Sequence, residues 1–293
     1  MGISMRNGIR LAVDEINTFA GGILGKKVEL VERDDLANND TGKKVAEELV
    51  HKEKVSATIG ICNAGVGQAS IDTYQNAKVP LIIAVSAGTP LDKKFAASPD
   101  FYIFRTSPRD EIQAPFIVAE ALKRGLRKIA LFADTSAYGE SGKAYVEKAL
   151  AEHKIQPVSV HRFPVGVSDL SDQVAQAKAA GADVVLTWTV GPEAAVLAKS
   201  IAKNKWTVPI IGSWPLSWRN FIDPAGSAAE GALVAVSFIQ QASFQRRNAF
   251  ILAYQKKYES QIIPAPMAAA QGYDAMMILF FAIHQAQSDD PKK

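Results

Sequence analysis

Apolar positions along this chain alternate between two rhythms: stretches repeating every 3.6 residues, and short unbroken runs of four to six. Ile9, Ala12, Val13 and Ile16 share one helical face, and Gly21-Gly22 stops that helix. Residues 28–31 read as a strand ending at Arg33-Asp34-Asp35. Asn39-Asp40-Thr41 suits the cap of a helix whose apolar face holds Val45, Leu49 and Val50. A strand at 57–60, a helix at 66–77, a strand at 80–85 and a short extended piece at 101–104 follow. Residues 110–123 predict a helix, with Pro115 tolerated near its first turn. The alternation then repeats: strands at 128–133, 158–163, 183–189 and 209–212, and helices at 138–152, 169–180 and 192–203. Residues 232–238 read as a strand crossing back to the first unit, and two helices, 244–259 and 266–286, close the chain. The pattern predicts an α/β protein of two mostly parallel sheets flanked by helices. Residues 1–105 with 237–293 form one unit and 106–236 the other.

At 293 residues the chain is long enough for two cores. A net charge of +3 with scattered basic residues gives no footprint for nucleic acid. Cys62 is the sole cysteine, so no internal disulfide can form, and a small buried side chain is its expected role. His51, His153, His161 and His284 lie far apart in no ligating spacing, so no metal and no cofactor are expected. Residues 1–6 lack the apolar core of a signal peptide. No apolar run looks long enough to cross a membrane; residues 276–283, flanked by Asp274 and His284, read as part of a buried helix.

Candidate chemistry gathers at the carboxyl ends of strands, where open α/β sheets bind ligands. The run RKIALFADTSAYGESG, residues 127–142, passes from a buried strand into acid, hydroxyls and Tyr138 before a helix opens. Gly65-Val66-Gly67-Gln68-Ala69-Ser70 has the setting of a dinucleotide fingerprint. Ser70 occupies its third glycine position, and no acidic residue ends the next strand, so a nucleotide is not expected. The backbone N–H groups of Ala64, Gly65 and Val66 can still hold a carboxylate; plain helix capping is the other reading. Ser86, Ala87, Gly88 and Thr89 end the next strand and either face an anion or form an ordinary turn before a helix at Pro90. Tyr138 either covers a ligand or packs at the surface, and Trp188, Trp214 and Trp218 either wall a small-molecule pocket or pack in the core. Asp34-Asp35 reads as capping and solvation. No nucleophile elbow and no P-loop occur, so an enzyme is disfavoured.

The order SMRNGIRLAVDEIN, GG, GKKVELVERDD, ATIG, VPLIIAVSAGTP, FYIFRTSPRD, KIALFADTSAYGESG and GYDAM resembles the leucine/isoleucine/valine-binding family of periplasmic solute-binding proteins across essentially the whole chain. The resemblance implies the two-lobed type I periplasmic binding fold and hinge closure about residues 104–107 and 234–238. It implies a monomer in the periplasm whose partner is an ABC transporter permease. It places a carboxylate at Ala64 (where amino-acid binders carry serine), Ser86, Gly88 and Thr89, and lobe 2 contacts at Tyr138 and Val190. The acidic partner of a ligand ammonium falls on or near Trp214. An ammonium in a closed cleft needs a charge partner, so an aromatic or apolar carboxylate is expected over a standard amino acid. A true branched-chain amino-acid binder, or a ligand-sensing regulator on the same fold, are the alternatives. The resemblance also implies a strand before the first helix and further elements after the last, so the chain is expected to be trimmed at both ends.

Overall fold

The computed structural model describes residues 1–241 and 243–291; Ala242, Lys292 and Lys293, all within the residues assigned by sequence to the first unit, lie outside it. The chain divides into two compact units, Met1–Ser107 with Phe238–Lys293, and Pro108–Ser237.

The first unit begins with α1 (Gly2–Phe19) and α2 (Asn39–Glu47), which continues through one π-helical turn at Glu48–Lys52. The N-cap of α2 is Asn38, one residue before the expected Asn39, and its side chain accepts from Thr41 N. Then come β1 (Thr58–Gly60), α3 (Ala64–Ala77), β2 (Leu81–Ile83), α4 (Pro90–Lys93) and β3 (Ile103–Arg105). The three strands pair in parallel in the order β1-β2-β3. The middle strand, Leu81-Ile82-Ile83, is wholly buried, as a strand covered on both faces must be. Residues 28–31 form no strand. Val28 is tied instead to Asn17, whose amide donates to Val28 O and accepts from Val28 N. A strand exists only by pairing, and this extended segment has no ladder partner among the described residues.

The second unit is a βα series: α5 (Asp110–Lys123), β4 (Ile129–Asp134), α6 (Ala137–Glu152), β5 (Ser159–Phe163), α7 (Ser171–Ala179), β6 (Val184–Trp188), α8 (Gly191–Lys203), β7 (Ile210–Gly212), α9 (Arg219–Ala225) and β8 (Leu233–Val234). Its sheet is parallel in the order β5-β4-β6-β7-β8. Central β4 and β6 are buried throughout. The expected crossing strand at 232–238 is reduced to two residues paired with β7, so it closes the second unit's sheet.

The chain returns to the first unit through α10 (Gln245–Tyr258) and α11 (Pro266–Ala286). Contrary to the sequence expectation, α11 is long and apolar enough to cross a membrane on length and composition alone. Less than half of that stretch is buried. Met276 packs with Ile9, Ala12, Val13 and Ile16 of α1, the helical face read from the sequence, while Ile278 and Phe281 remain exposed.

Candidate functional site

In the first unit, a three-residue loop, Ile61-Cys62-Asn63, joins β1 to α3, and the N-terminal turn of α3 has no side-chain cap. The Asn63 side chain makes no capping bond, and the first backbone bond of the turn runs from Gly67 N to Asn63 O. The N–H groups of Ala64, Gly65 and Val66 have no capping partner among the described residues, and the helix dipole lies behind them.

The loop 86–89 lies alongside. A Cβ added to Gly88 would sit 3.3 Å from Ala64 Cβ, so glycine there lets the two loops touch. Ser86 N donates to Ile61 O (3.1 Å) and Ser86 O accepts from Ser107 Oγ (2.7 Å). Its hydroxyl, fully buried, has no partner among the described residues. Beneath the loop, Arg105 forms a 2.9 Å ion pair with Asp92, both side chains buried. The same guanidinium donates to Ala87 O (3.3 Å) and Gly88 O (2.8 Å). Thr89, also buried, stands just before α4, so the loop is at once a turn into a helix and a wall beside the α3 terminus.

In the second unit the organising group is Asp134, fully buried at the end of β4. Its Oδ1 accepts from Ser136 N (2.9 Å) and Ser136 Oγ. Its Oδ2 accepts from Thr189 Oγ1 and Val190 N, both at 2.9 Å. Four donors satisfy this buried carboxylate. They also lock the loop carrying Tyr138 to the loop carrying Val190.

Tyr138 is half-buried, and its hydroxyl donates to Ser213 Oγ (2.8 Å). Burial first, then the charge of Asp110, raises its phenol well above the ordinary tyrosine value; the bond to Ser213 opposes this, Asp134 adds to the rise, and the Trp214 side chain opposes it. Trp214 is buried at the start of a 3-10 turn, Trp214–Ser217, and its N–H donates to Gln113 Oε1 (3.4 Å).

The structure thus groups Ala64, Gly65, Ser86, Ala87, Gly88 and Thr89 in one unit, and Tyr138, Val190 and Trp214 in the other. Of the two readings of Trp188, pocket wall or core, its surroundings favour the core. Its indole is completely buried in the core with Ala114, Ile117 and Val146, at 5.9 Å between ring centroids from Tyr138. A Cβ on Gly142 would fall 2.1 Å from that ring, so α6 lies directly on it. Trp188 therefore backs Tyr138. Trp218, 4% exposed, is likewise interior. Sequence reasoning missed Asp92, Arg105, Ser107, Asp134, Gln113 and Ser213. Two carried a signal: Asp134 ends an otherwise apolar strand, and Arg105 shares the strand face of buried Ile103, two residues before it. Among the described residues no group of three or more His, Cys, Asp or Glu could hold a metal.

The profile of the periplasmic binding protein family matches residues 1–293. The chain belongs to that family. A Leu/Ile/Val-binding protein homolog from Brucella melitensis is 26% identical over 290 residues, covering 99% of this chain and 76% of its own. Among solved structures, a branched-chain amino-acid transporter substrate-binding protein from Streptococcus pneumoniae, in complex with isoleucine, is similar with a TM-score of 0.87 at 25% identity, covering 99% of this chain and 81% of that one. A solute-binding protein of an ABC transporter from Rhodopseudomonas palustris, in complex with 4-hydroxybenzoate, has a TM-score of 0.87 at 23% identity, covering 99% and 78%; that likeness is one of fold. The family consists of solute-binding components of transporters, and both units of this periplasmic binding protein have the parallel α/β form of its solved members.

Proposed function

We propose that this periplasmic binding protein takes a small carboxylate and delivers it to the permease of an ABC transporter of the branched-chain amino-acid type, in the periplasm and without chemistry on the solute. The observation that carries this reading is that, in the first unit, the uncapped start of α3 lies beside the 86–89 loop, whose buried Ser86 hydroxyl has no partner among the described residues. Such donors suit a carboxylate, and leaving them unmatched is costly. In the second unit the family resemblance puts the acidic partner of an ammonium on or near Trp214, which carries no charge, and the carboxylate of Asp134 is consumed by its own loops. Aromatic and apolar acids are therefore the favoured class. A fold shared by an isoleucine complex and a hydroxybenzoate complex leaves that choice to the side chains.

The second reading, a branched-chain amino-acid binder, is favoured by the Leu/Ile/Val-binding relative. Isothermal titration against leucine, isoleucine, valine, benzoate and aliphatic acids separates the two. Micromolar binding of benzoate-type acids with none of leucine supports the first reading; the reverse result replaces it. Hinge closure belongs to the same proposal, and small-angle scattering with saturating ligand should show compaction if it holds.

A further inference from the structure

One side chain of the first unit has no role in the account so far. Gln271, in the second turn of α11, is 5% exposed, yet neither its Oε1 nor its Nε2 has a hydrogen-bond partner among the described residues. Folding a carboxamide into the interior with both ends unmet is expensive, and an apolar residue of the same size would avoid the cost. Its position is fixed by its backbone: Gln271 O accepts from Thr106 Oγ1 (3.4 Å), and the same hydroxyl also reaches Ala84 O (3.4 Å). Thr106 follows β3 and Ala84 follows β2, two residues before Ser86. Gln271 is thus held level with the carboxyl end of the sheet, where the Ser86 hydroxyl is also unpartnered. Two buried neutral polar side chains at one sheet end thus lack partners among the described residues, and such groups call for one.

We propose that Gln271 is a specificity-determining contact of this half-site and that the solute is a carboxylic acid carrying a neutral group able both to donate and to accept, a hydroxyl or an amide. This rests on the carboxylate reading of the first unit. The carboxylate meets Ala64–Val66 and Ser86, and the neutral group meets the Gln271 amide. A carboxamide carries donors on its nitrogen and an acceptor on its oxygen, so it rewards a partner with both and leaves its oxygen unmatched against a second carboxylate.

The test is isothermal titration of the full chain and of Gln271→Met with matched pairs: 4-hydroxybenzoate and benzoate, mandelate and phenylacetate, 4-carbamoylbenzoate and terephthalate. The expected result is a preference of about tenfold for the hydroxyl or amide member of at least one pair. In Gln271→Met that preference should shrink to about twofold or less while the affinity for the unsubstituted acid is kept. An undiminished preference in the variant, or no preference in the natural chain, overturns the proposal. If no acid binds in either protein, the carboxylate reading fails and the proposal with it, a result distinct from binding without discrimination. Urea unfolding without ligand adds an independent check. Gln271→Met should be at least as stable as the natural chain, and a clear loss of stability would show a structural residue and overturn the proposal.

Discussion

Both units anchor their candidate loops on a buried charge, but the charges have opposite sign. In the first unit the guanidinium of Arg105, neutralised by Asp92, takes the carbonyl oxygens of Ala87 and Gly88. With those acceptors occupied, donors remain: the N–H groups opening α3 and the hydroxyl of Ser86. In the second unit the carboxylate of Asp134 takes the loop donors, the Ser136 and Val190 N–H groups and the Ser136 and Thr189 hydroxyls. With those donors occupied, what remains of the loop beside them is the half-buried ring of Tyr138, with Trp214 packed inside the unit. The sign of the group beneath a loop thus decides what the loop can offer a ligand.

If that contrast is correct, removing the cation should do the most damage. Arg105→Met leaves Asp92 buried without its partner and is expected to cost about 3–5 kcal/mol in urea unfolding. The double variant Arg105→Met/Asp92→Leu should recover most of the stability but not the binding of carboxylates. Recovery of both would show that the ion pair does not shape the loop.

Asp134→Asn comes next. The amide cannot accept at all four donors, and two opposed donors would cost about 2–3 kcal/mol. Tyr138 should become more mobile, visible as a change in near-ultraviolet circular dichroism; an unchanged spectrum and stability would remove Asp134 from its organising role.

Ser86→Ala sharpens the comparison without breaking the fold. Deleting an unpartnered buried hydroxyl should alter stability by no more than about 0.5 kcal/mol, whereas losing a charge-assisted bond should weaken a carboxylate ligand about tenfold. The opposite pattern, lower stability with intact binding, would mean that the hydroxyl has a structural partner.

The smallest effect concerns Cys62, between β1 and α3. Burial pushes its thiol up to about 12, from an ordinary value of about 8.5. The folded state therefore favours the protonated thiol: its contribution is complete below about pH 8.5 and is lost as the pH rises toward the folded value. Alkylation at pH 8 should be much slower in the folded chain than in urea, and Cys62→Ala should flatten the alkaline decline. Rapid alkylation of the folded chain would show that the end of β1 opens readily.

Periodicity alone determined the alternating α/β architecture, because burial of one helix face and of whole central strands is written into residues near in sequence: Ile9, Ala12, Val13 and Ile16, or Ile129 to Phe132. It also located the glycine-rich and hydroxyl-rich loops at strand ends, since a loop's position follows from the strand before it. Sequence failed where the decisive partner is distant. Residues 28–31 have strand composition, but strand formation depends on a neighbour. Trp188 left pocket wall and core equally open, and only the fold shows that Gly142 brings α6 onto its ring. Asp134 and Arg105 look like ordinary charged residues until folding sets them against loops some 55 and 17 residues away along the chain. Only the tertiary structure could decide which donors and acceptors are already taken, because a hydrogen bond is made once, by whichever group folding brings within about 3 Å.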